Sequence, residues 1–319
     1  MVRVAWVHPG QGSLRTGCLE QATQTDGRTE LEPLAVAAGR AIDRVARATG
    51  RDLRALATDP ATGSRTADAQ PTILAASLAA AAALEAAGLR PDVVAGHSLG
   101  ECTAAIVARC LEVDAGARVV AARGAAMADA CRAHPGAMAA LVKLAPEAVE
   151  GLLADQPDLV VANDNAPGQV VVAGPPDAVA GLRDAARAAG GRLVPLEVEG
   201  AFHSEAMSPA VPALADALGG VPVGDPEVPL FSGVGARGLS TGSAVADALL
   251  GGVLATVRWR EVQLALAADG VTHLVEVGPG GVLAGLAKRT VPDLEVRTIA
   301  TPADAHALAV ELGVVAMAR

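Results

Sequence analysis

The chain has 319 residues, of which 51% are hydrophobic and only 1% aromatic, and its formal net charge is −10. This length is enough to bury a substantial core in one large domain or two. Because aromatic side chains are almost absent, alanine, valine and leucine must fill that core, which predicts closely packed helices. The acidic balance argues against a general nucleic-acid-binding protein, whose electrostatic footprint would be basic.

The cysteines indicate a reducing compartment. They show no C-x-x-C pair and no spacing typical of a zinc site. No secretory leader is predicted, because His8 and Pro9 interrupt the apolar N-terminal run. Reduced thiols in a cytoplasmic protein without a bound metal are therefore expected. The residues concerned are Cys18, Cys102, Cys110 and Cys131.

The N-terminal part of the chain predicts a strand, a glycine loop and helices. Residues 2–7 form a short run that is apolar except for Arg3, and residues 9–12 read P-G-Q-G, which indicates a central strand with a loop at its carboxyl end. In open α/β sheets, ligands bind at that edge. Helices are predicted over residues 32–49 and 70–87. The stretch 71–89 is long and nearly uncharged, but alanine is barely hydrophobic, so a buried helix is expected rather than a membrane span.

The most informative stretch follows a predicted strand over residues 91–95. There the chain reads G-H-S-L-G and continues into a predicted helix over residues 101–109. Glycines at positions 96 and 100 leave room for a sharp turn that lifts the Ser98 hydroxyl above the sheet edge, as in a nucleophile elbow. The N-terminus of the following helix favours developing negative charge. Ser98 is therefore the predicted nucleophile.

A further helix, predicted over residues 114–132 with Asp114 as its N-cap, carries one conspicuous arginine. Arg123 is followed by Gly124 on an otherwise alanine-rich face. The residues alone leave two interpretations open: a guanidinium that points at a ligand, or a solvated surface arginine.

Between residues 136 and 198 the pattern changes to β-α-β-β-α-β, which is the ferredoxin-like order. The middle hairpin over residues 163–169, which includes Asn165, is either turn chemistry or a polar wall of the active site. The cleft between this module and the larger one is the expected substrate channel. The six elements are predicted over residues 137–144, 146–155, 159–162, 170–173, 177–189 and 193–198.

The remaining chain returns to the larger module. A helix is predicted over residues 205–218, and strands over residues 228–232, 272–277 and 294–300 complete its sheet. The predicted class is α/β, with an α/β-hydrolase-like core, a mostly parallel sheet and an inserted ferredoxin-like subdomain. The large catalytic domain is expected to comprise residues 1–134 and 200–319, and the small subdomain residues 135–199.

Ser98 needs a base, and the chain offers six histidines. His97 adjoins the nucleophile, so its side chain is expected to diverge from Ser98. His134, His273 and His306 have surroundings typical of structural residues. His203 stands on a loop before a helix, between small residues, and is the best candidate on physical grounds.

The chain contains, in this order, the motifs P-G-Q-G-S at 9–13, G-H-S-L-G-E at 96–101 and G-A-F-H-S at 200–204. These motifs and their order resemble those of the malonyl-CoA:acyl-carrier-protein transacylase family, which includes transacylases of fatty acid synthesis and acyltransferases of polyketide synthases. The resemblance extends from about residue 4 to 289. It implies transfer of a malonyl group from coenzyme A to the phosphopantetheine thiol of an acyl carrier protein, by a ping-pong mechanism through an acyl-enzyme.

The resemblance also implies roles for individual residues. Ser98 and His203 would be catalytic, and the backbone N–H groups of Gln11 and Leu99 would form the oxyanion hole. Arg123 would bind the free malonyl carboxylate, and a backbone carbonyl near Gly252 would orient His203. The other expected substrate-binding residues are Phe202, which marks a preference for malonyl over methylmalonyl, together with Gln70 and Asn165.

The same resemblance implies no metal and no permanently bound cofactor. The expected partners are an acyl carrier protein and a coenzyme A thioester, with no nucleic acid and no membrane, and the protein is expected to be a monomer. The sequence departs from the family pattern at His8, where an apolar residue is usual. It departs again at Ala255 and Thr256, where Asn-Pro or Ser-Pro is common.

Alternatives from other classes remain. A stand-alone polyketide acyltransferase would use malonyl or another dicarboxylic acyl-CoA. An α/β-hydrolase esterase or thioesterase would share the elbow, but the H-G-G-G segment of that class is missing from the sequence. A catalytically inactive scaffold would keep the fold without the reactive residues, yet Ser98, His203, Gln11 and Arg123 are all there.

Overall fold

The computed structural model describes residues 2–315, which form two β-sheets with helices packed around them. The strands are β1 (Val4–His8), β2 (Val93–Gly96), β3 (Ala137–Val142), β4 (Val160–Ala166), β5 (Gln169–Gly174), β6 (Arg192–Pro195), β7 (Leu230–Phe231), β8 (Gly238–Leu239), β9 (His273–Val277) and β10 (Glu295–Ile299).

The helices alternate with these strands, as expected for an α/β protein. They are α1 (Cys18–Gln21), α2 (Glu32–Thr49), α3 (Leu53–Thr58), α4 (Thr66–Ala86), α5 (Leu99–Val107), α6 (Val113–Ala133), α7 (Pro146–Leu153), α8 (Pro176–Ala188), α9 (Val211–Gly219), α10 (Gly242–Gly251), α11 (Trp259–Ala268), α12 (Val282–Thr290) and α13 (Pro302–Glu311). Short 3₁₀ turns cover Gln11–Ser13, Thr29–Leu31, Pro60–Gly63 and Glu205–Ala210.

The larger sheet has the strand order β10-β9-β1-β2-β7-β8 and is parallel except for β8. All five residues of β1 are buried, because helices cover both faces of the sheet. His8 pairs with Gly96 across β1 and β2, so the glycine loop and the elbow leave the sheet side by side. The predicted α/β class with a mostly parallel sheet is confirmed. The ends of the five predicted strands differ by at most two residues from those observed, and β8 was not predicted.

The long apolar helix predicted from the sequence is α4, and 83% of its most apolar 18-residue window is buried inside the protein. It begins at Thr66 rather than at residue 70 as predicted. The reason is a contact distant in sequence: the Thr66 backbone N–H donates to the Glu199 carboxylate at 2.6 Å, which satisfies one free donor of the first turn. α4 is thus a core helix.

Small residues let α6 pack closely against α4. A Cβ on Gly124 would lie 3.1 Å from the Thr66 carbonyl oxygen, tighter than an ordinary contact. The prediction that Asp114 caps α6 is wrong, because the helix begins at Val113 and no side chain caps it. The Asp114 carboxylate instead accepts a hydrogen bond from Arg44 Nε at 2.6 Å, which joins α6 to α2.

The smaller sheet has the strand order β4-β5-β3-β6 and is antiparallel, with α7 and α8 between its strands along the chain. This is the predicted ferredoxin-like arrangement. Its elements all lie within the predicted subdomain 135–199. The largest boundary error in this subdomain is at β4, which continues to Ala166, so Asn163 and Asn165 lie in a strand and not in the turn. Pairing with β5 and with a distant segment extends this strand.

The crossing of β1, β2 and α5 depends on two glycines. A Cβ on Gly96 would lie 2.0 Å from the Gly100 carbonyl atoms, and one on Gly100 would lie 1.9 Å from the His8 carbonyl oxygen. Backbone fills both spaces, so no side-chain rotation can relieve the contact. The elbow therefore requires glycine at both positions for steric reasons.

We expect Gly96→Ala and Gly100→Ala each to lower the free energy of unfolding by roughly 3 kcal/mol or more, because the backbone must shift to accommodate a methyl group. Urea unfolding would measure the change. Gly285→Ala is the matched control, since a Cβ at that exposed position in α12 meets nothing within 4 Å. Wild-type midpoints for both elbow variants would contradict this account of the turn.

Candidate active site

Ser98 stands at the point where β2 turns into α5. Its backbone has φ 54° and ψ −112°, a conformation that costs a residue with a side chain about 1–3 kcal/mol. The preceding His97 N–H donates to the His8 carbonyl at 2.9 Å, which ties the turn to β1. The Ser98 side chain makes no capping bond to α5, so its hydroxyl remains available to other partners.

The hydroxyl is paired with the predicted base. Ser98 Oγ lies 2.9 Å from His203 Nε2. His203 also has a positive φ, of 59°, and is 4% exposed. Its loop lies tightly against α6, because a Cβ on Gly200 would be 2.5 Å from the Cys131 sulfur. The sequence predicted this pair but not the backbone strain at both of its members.

The other ring nitrogen of His203 is also held. His203 Nδ1 lies 3.0 Å from the Ala255 carbonyl oxygen. A carbonyl can only accept, so Nδ1 carries the proton and Nε2 is free to accept from Ser98. The acceptor was predicted near Gly252; the carbonyl with full hydrogen-bond geometry is that of Ala255, and the Gly252 backbone also acts on the imidazole by raising its pKa. Gly252 is the C-cap residue of α10, and the Ala255 N–H donates to the Gly251 carbonyl at 3.1 Å. This hydrogen bond directs the Ala255 carbonyl toward the imidazole.

The site keeps this imidazole neutral. Burial, followed by the charge on Arg123 and by His97, lowers the pKa of His203 to about 3. Backbone hydrogen bonds to Ala255 and Gly252 oppose the shift. At neutral pH the ring is therefore unprotonated at Nε2 and able to take a proton from the Ser98 hydroxyl.

Arg123 is a buried arginine beside the hydroxyl and not a surface residue. It is 4% exposed, Nη1 donates to Gln70 Oε1 at 2.7 Å, and Nη2 donates to Ser98 Oγ at 3.4 Å. Within residues 2–315, no carboxylate forms a hydrogen bond with the Arg123 guanidinium. Burial lowers the pKa of this guanidinium from its usual value. The first of the two interpretations left open by the sequence is therefore the one that the geometry supports.

Gln11 and Leu99 place backbone donors near the same hydroxyl. Leu99 is the first residue of α5, where N–H groups have no acceptor within the helix. Within residues 2–315, the N–H groups of Gln11 and Leu99 form no hydrogen bond to protein. The two segments touch, since a Cβ on Gly10 would lie 2.8 Å from the His97 carbonyl oxygen. The Gln11 side chain anchors its loop by donating to Thr66 Oγ1 at 3.2 Å.

A cavity of about 530 Å³ opens between the two sheets above Ser98. This volume is typical of small-molecule sites. His97 forms part of its wall and is 2.8 Å from Asn165 Oδ1 through Nε2, so its ring turns toward β4. Phe202 and Asn165 line the cavity, together with Gln11, Ser98, His203, Met138, Ala140, Asn163, Gln169, Val171, Leu196, Val198, Val282 and Leu286.

Arg123 does not line this cavity; together with Ser98 it lines a separate small space of about 10 Å³. Gln70 is buried, and it lines neither the large cavity nor the small space. The sequence did not indicate that Gln70 lies outside both. Sequence reasoning also missed Glu101, which lines the small space with Arg123. Burial raises the pKa of the Glu101 carboxyl to about 7. The only sequence signal was an acidic residue inside an otherwise apolar helix start.

His8 has a structural explanation. Its ring is fully buried, and Nδ1 lies 3.1 Å from the Val277 carbonyl, so it joins β1 to the end of β9. Burial lowers the pKa of His8 to about 4.

All four cysteines are buried and free, and burial raises the thiol pKa of each to about 11. Such thiols are poor metal ligands and poor nucleophiles.

The fold and the paired hydroxyl and imidazole over a cavity define an acyltransferase. Comparison with known families agrees, since the acyl transferase domain model matches residues 5–308. The chain belongs to this family.

Similar proteins carry more specific names. The malonyl CoA-acyl carrier protein transacylase of Escherichia coli K12 is 36% identical over 324 residues, with 98% of this chain and all of the relative covered. The crystal structure of the acyl-carrier-protein S-malonyltransferase of Bartonella henselae has a TM-score of 0.89 at 34% identity, covering 98% of this chain and 100% of that one. A malonyl-transacylase in complex with its holo type II polyketide acyl-carrier protein has a TM-score of 0.87 at 33% identity, covering 97% and 99%.

Proposed function

We propose that this protein transfers a malonyl group from coenzyme A to the phosphopantetheine thiol of an acyl carrier protein. The observation that carries the proposal is the buried Arg123 guanidinium at 3.4 Å from the Ser98 hydroxyl. An acyl group attached to Ser98 would leave its far end beside a positive charge. A free carboxylate on that end suits the site, because a buried charge needs an opposite partner.

The first half-reaction follows from the geometry around Ser98. As its oxygen attacks the thioester carbonyl, the hydroxyl proton passes to Nε2 of His203. The oxyanion of the tetrahedral intermediate accepts from the N–H groups of Gln11 and Leu99. When the carbon–sulfur bond breaks, the imidazolium returns the proton to the coenzyme A sulfur. The products are the malonyl ester of Ser98 and free coenzyme A.

The second half-reaction runs the same steps in reverse with a different thiol. The phosphopantetheine thiol of the carrier enters the cavity and gives its proton to His203. It attacks the ester carbonyl, and the intermediate collapses to the carrier thioester while Ser98 recovers its proton. The chemistry thus needs only the acyl donor, the acceptor thiol and this chain's own residues.

Arg123 is the proposed selectivity residue. Its two terminal nitrogens can hold a carboxylate through parallel hydrogen bonds, a geometry that lysine does not offer. The incoming carboxylate replaces the contact between Nη2 and Ser98 Oγ, while Gln70 keeps Nη1 in place at 2.7 Å. Phe202 lies in the cavity wall next to His203 and limits branching at the acyl α-carbon, whereas Asn165 fixes the wall through His97.

The acceptor is proposed to be a carrier protein in the cytoplasm, where such carriers and coenzyme A thioesters occur together. A structural neighbour solved with its holo carrier protein supports this partner. That neighbour's carrier belongs to a type II polyketide system, so a stand-alone polyketide acyltransferase is the second candidate. Transfer rates to purified fatty-acid and polyketide carriers would separate the two, since the preferred carrier should have the higher kcat/KM.

The roles of Ser98 and His203 can be tested by substitution. We expect Ser98→Ala to abolish malonyl-enzyme formation, and His203→Ala to slow it by about 10²- to 10⁴-fold, because a general base contributes that much. Rapid-quench intact-mass spectrometry would measure both. His306→Ala is the control for loss of a histidine outside the site. Malonyl mass on the Ser98→Ala protein would refute the nucleophile assignment.

The role of Arg123 can be tested by the choice of acyl group. We expect Arg123→Ala to lose about 30-fold or more in kcat/KM for malonyl-CoA, since removing one partner of a buried charge pair costs roughly 2–5 kcal/mol. Activity toward acetyl-CoA should rise relative to malonyl-CoA, and Arg123→Lys should recover only part of the loss. The same assay with methylmalonyl-CoA tests Phe202, where a single methyl should cost about 1–3 kcal/mol.

Arg132→Ala is the matched control for Arg123, because Arg132 lies on the same helix and its side chain is 72% exposed. It should keep the wild-type ratio of malonyl to acetyl kcat/KM. If Arg123→Ala also keeps that ratio, then Arg123 does not select the carboxylate and the malonyl proposal loses its main physical support.

A further inference from the structure

The carbonyl that orients His203 belongs to a segment held by the smaller sheet. β4 is an edge strand of that sheet, with β5 on one side only. An edge strand exposes unpaired backbone groups and is usually covered. Here the covering segment is residues 255–257, which belong to the connection between α10 and α11.

Three hydrogen bonds attach this segment to β4. Thr256 Oγ1 donates to the Val161 carbonyl at 2.6 Å. The Val257 N–H donates to the Ala162 carbonyl at 2.9 Å, and the Val257 carbonyl accepts from the Asp164 N–H at 2.9 Å. The segment thus pairs with β4 through an isolated parallel bridge at Val257, although it comes from the part of the chain that forms the larger sheet.

The shape of β4 makes this attachment possible. Its pairing with β5 is interrupted by a register shift between Val161 and Asn163. Such a bulge leaves one residue unpaired and redirects its neighbours. Asp164 beyond the bulge accepts a bidentate contact from Arg260 of α11, with Nε at 3.0 Å from both carboxylate oxygens and Nη2 at 2.7 Å from one. The ion pair between Arg260 and Asp164 joins α11 to β4 next to the attached segment.

Ala255 is consequently fixed on both sides. Its N–H bonds to the Gly251 carbonyl at the end of α10, and the next residue is Thr256. Adjacent Cα atoms lie about 3.8 Å apart, so a shift of Thr256 moves the Ala255 carbonyl with it. That carbonyl is the acceptor at 3.0 Å from His203 Nδ1.

We propose that Thr256 is a positioning residue for His203: its hydroxyl fixes residues 255–257 on β4 and thereby sets the carbonyl that orients the imidazole. This inference rests on the proposed function only for the role of His203 as a base. Its consequence is that the smaller sheet supports the chemistry through the backbone, since in the described part of the chain no side chain of β4 forms a hydrogen bond with the side chain of Ser98 or His203.

The test compares Thr256→Val, which removes the hydroxyl and keeps the shape, with Thr256→Ser, which keeps the hydroxyl. We expect the rate constant of malonyl-enzyme formation to fall about three- to tenfold in Thr256→Val, the range expected for one hydrogen bond, and to recover in Thr256→Ser. KM for malonyl-CoA should stay unchanged, because the hydrogen bonds of Arg123 do not involve this segment. Thr49→Val is the control, since Thr49 bonds a helical carbonyl in α2, at 2.8 Å.

Two readouts separate positioning from a general loss of structure. In a burst experiment, unfolded protein lowers the amplitude, whereas a displaced base lowers the rate constant. NMR of ¹⁵N-histidine-labelled protein reads the His203 Nδ1 proton directly, and its exchange with water should quicken in Thr256→Val. A wild-type burst rate constant and an unchanged Nδ1 proton in Thr256→Val would overturn the inference.

The proposed function and this inference fail in different ways. If the wild-type protein forms no malonyl-enzyme, the proposed function is wrong, while the His203 Nδ1 signal still decides the role of Thr256. If the wild-type burst is normal and Thr49→Val loses as much rate as Thr256→Val, the inference alone is wrong.

Discussion

The central constraint of this structure is a guanidinium held almost free of water beside a reactive hydroxyl. Arg123 owes its position to the close packing of α4 and α6, which Gly124 permits. This packing places Gln70 Oε1 at 2.7 Å from Arg123 Nη1. Its charge is only partly compensated, because burial raises the pKa of Glu101 to about 7 and that carboxyl is partly protonated at neutral pH. The same charge helps to keep His203 neutral. In the proposed mechanism, one buried arginine thus serves both acyl selection and the protonation state of the base.

The reactive pair is assembled from parts distant in sequence, and each part has its own support. Ser98 is raised by the glycine turn between β2 and α5, and His203 by a loop pressed against α6 at Cys131. The carbonyl of Ala255 comes from a third segment that is paired with β4. Both reactive residues have positive φ angles, a strain that persists only where the surroundings fix the backbone.

The sequence predicted those features that depend on local pattern. The elbow at Ser98, the parallel sheet and the β-α-β-β-α-β order of the smaller sheet all follow from strand runs, glycines and helical periodicity. Features set by distant contacts were wrong or missed. Glu199 extends the start of α4, Arg44 takes Asp114 away from its predicted capping role, and pairing with residue 257 draws Asn163 into a strand. No local pattern encodes such contacts, which explains why the sequence did not single out the Ala255 carbonyl as a partner of His203.

The most direct test of this account is a crystal structure of the malonylated enzyme, trapped on Ser98 in the absence of carrier protein. We predict that the malonyl carboxylate accepts two hydrogen bonds of about 2.8 Å from the terminal nitrogens of Arg123. The ester carbonyl oxygen should lie at the N–H groups of Gln11 and Leu99. A carboxylate that points into the large cavity, with no acyl oxygen near the terminal nitrogens of Arg123, would contradict the central role assigned to this arginine.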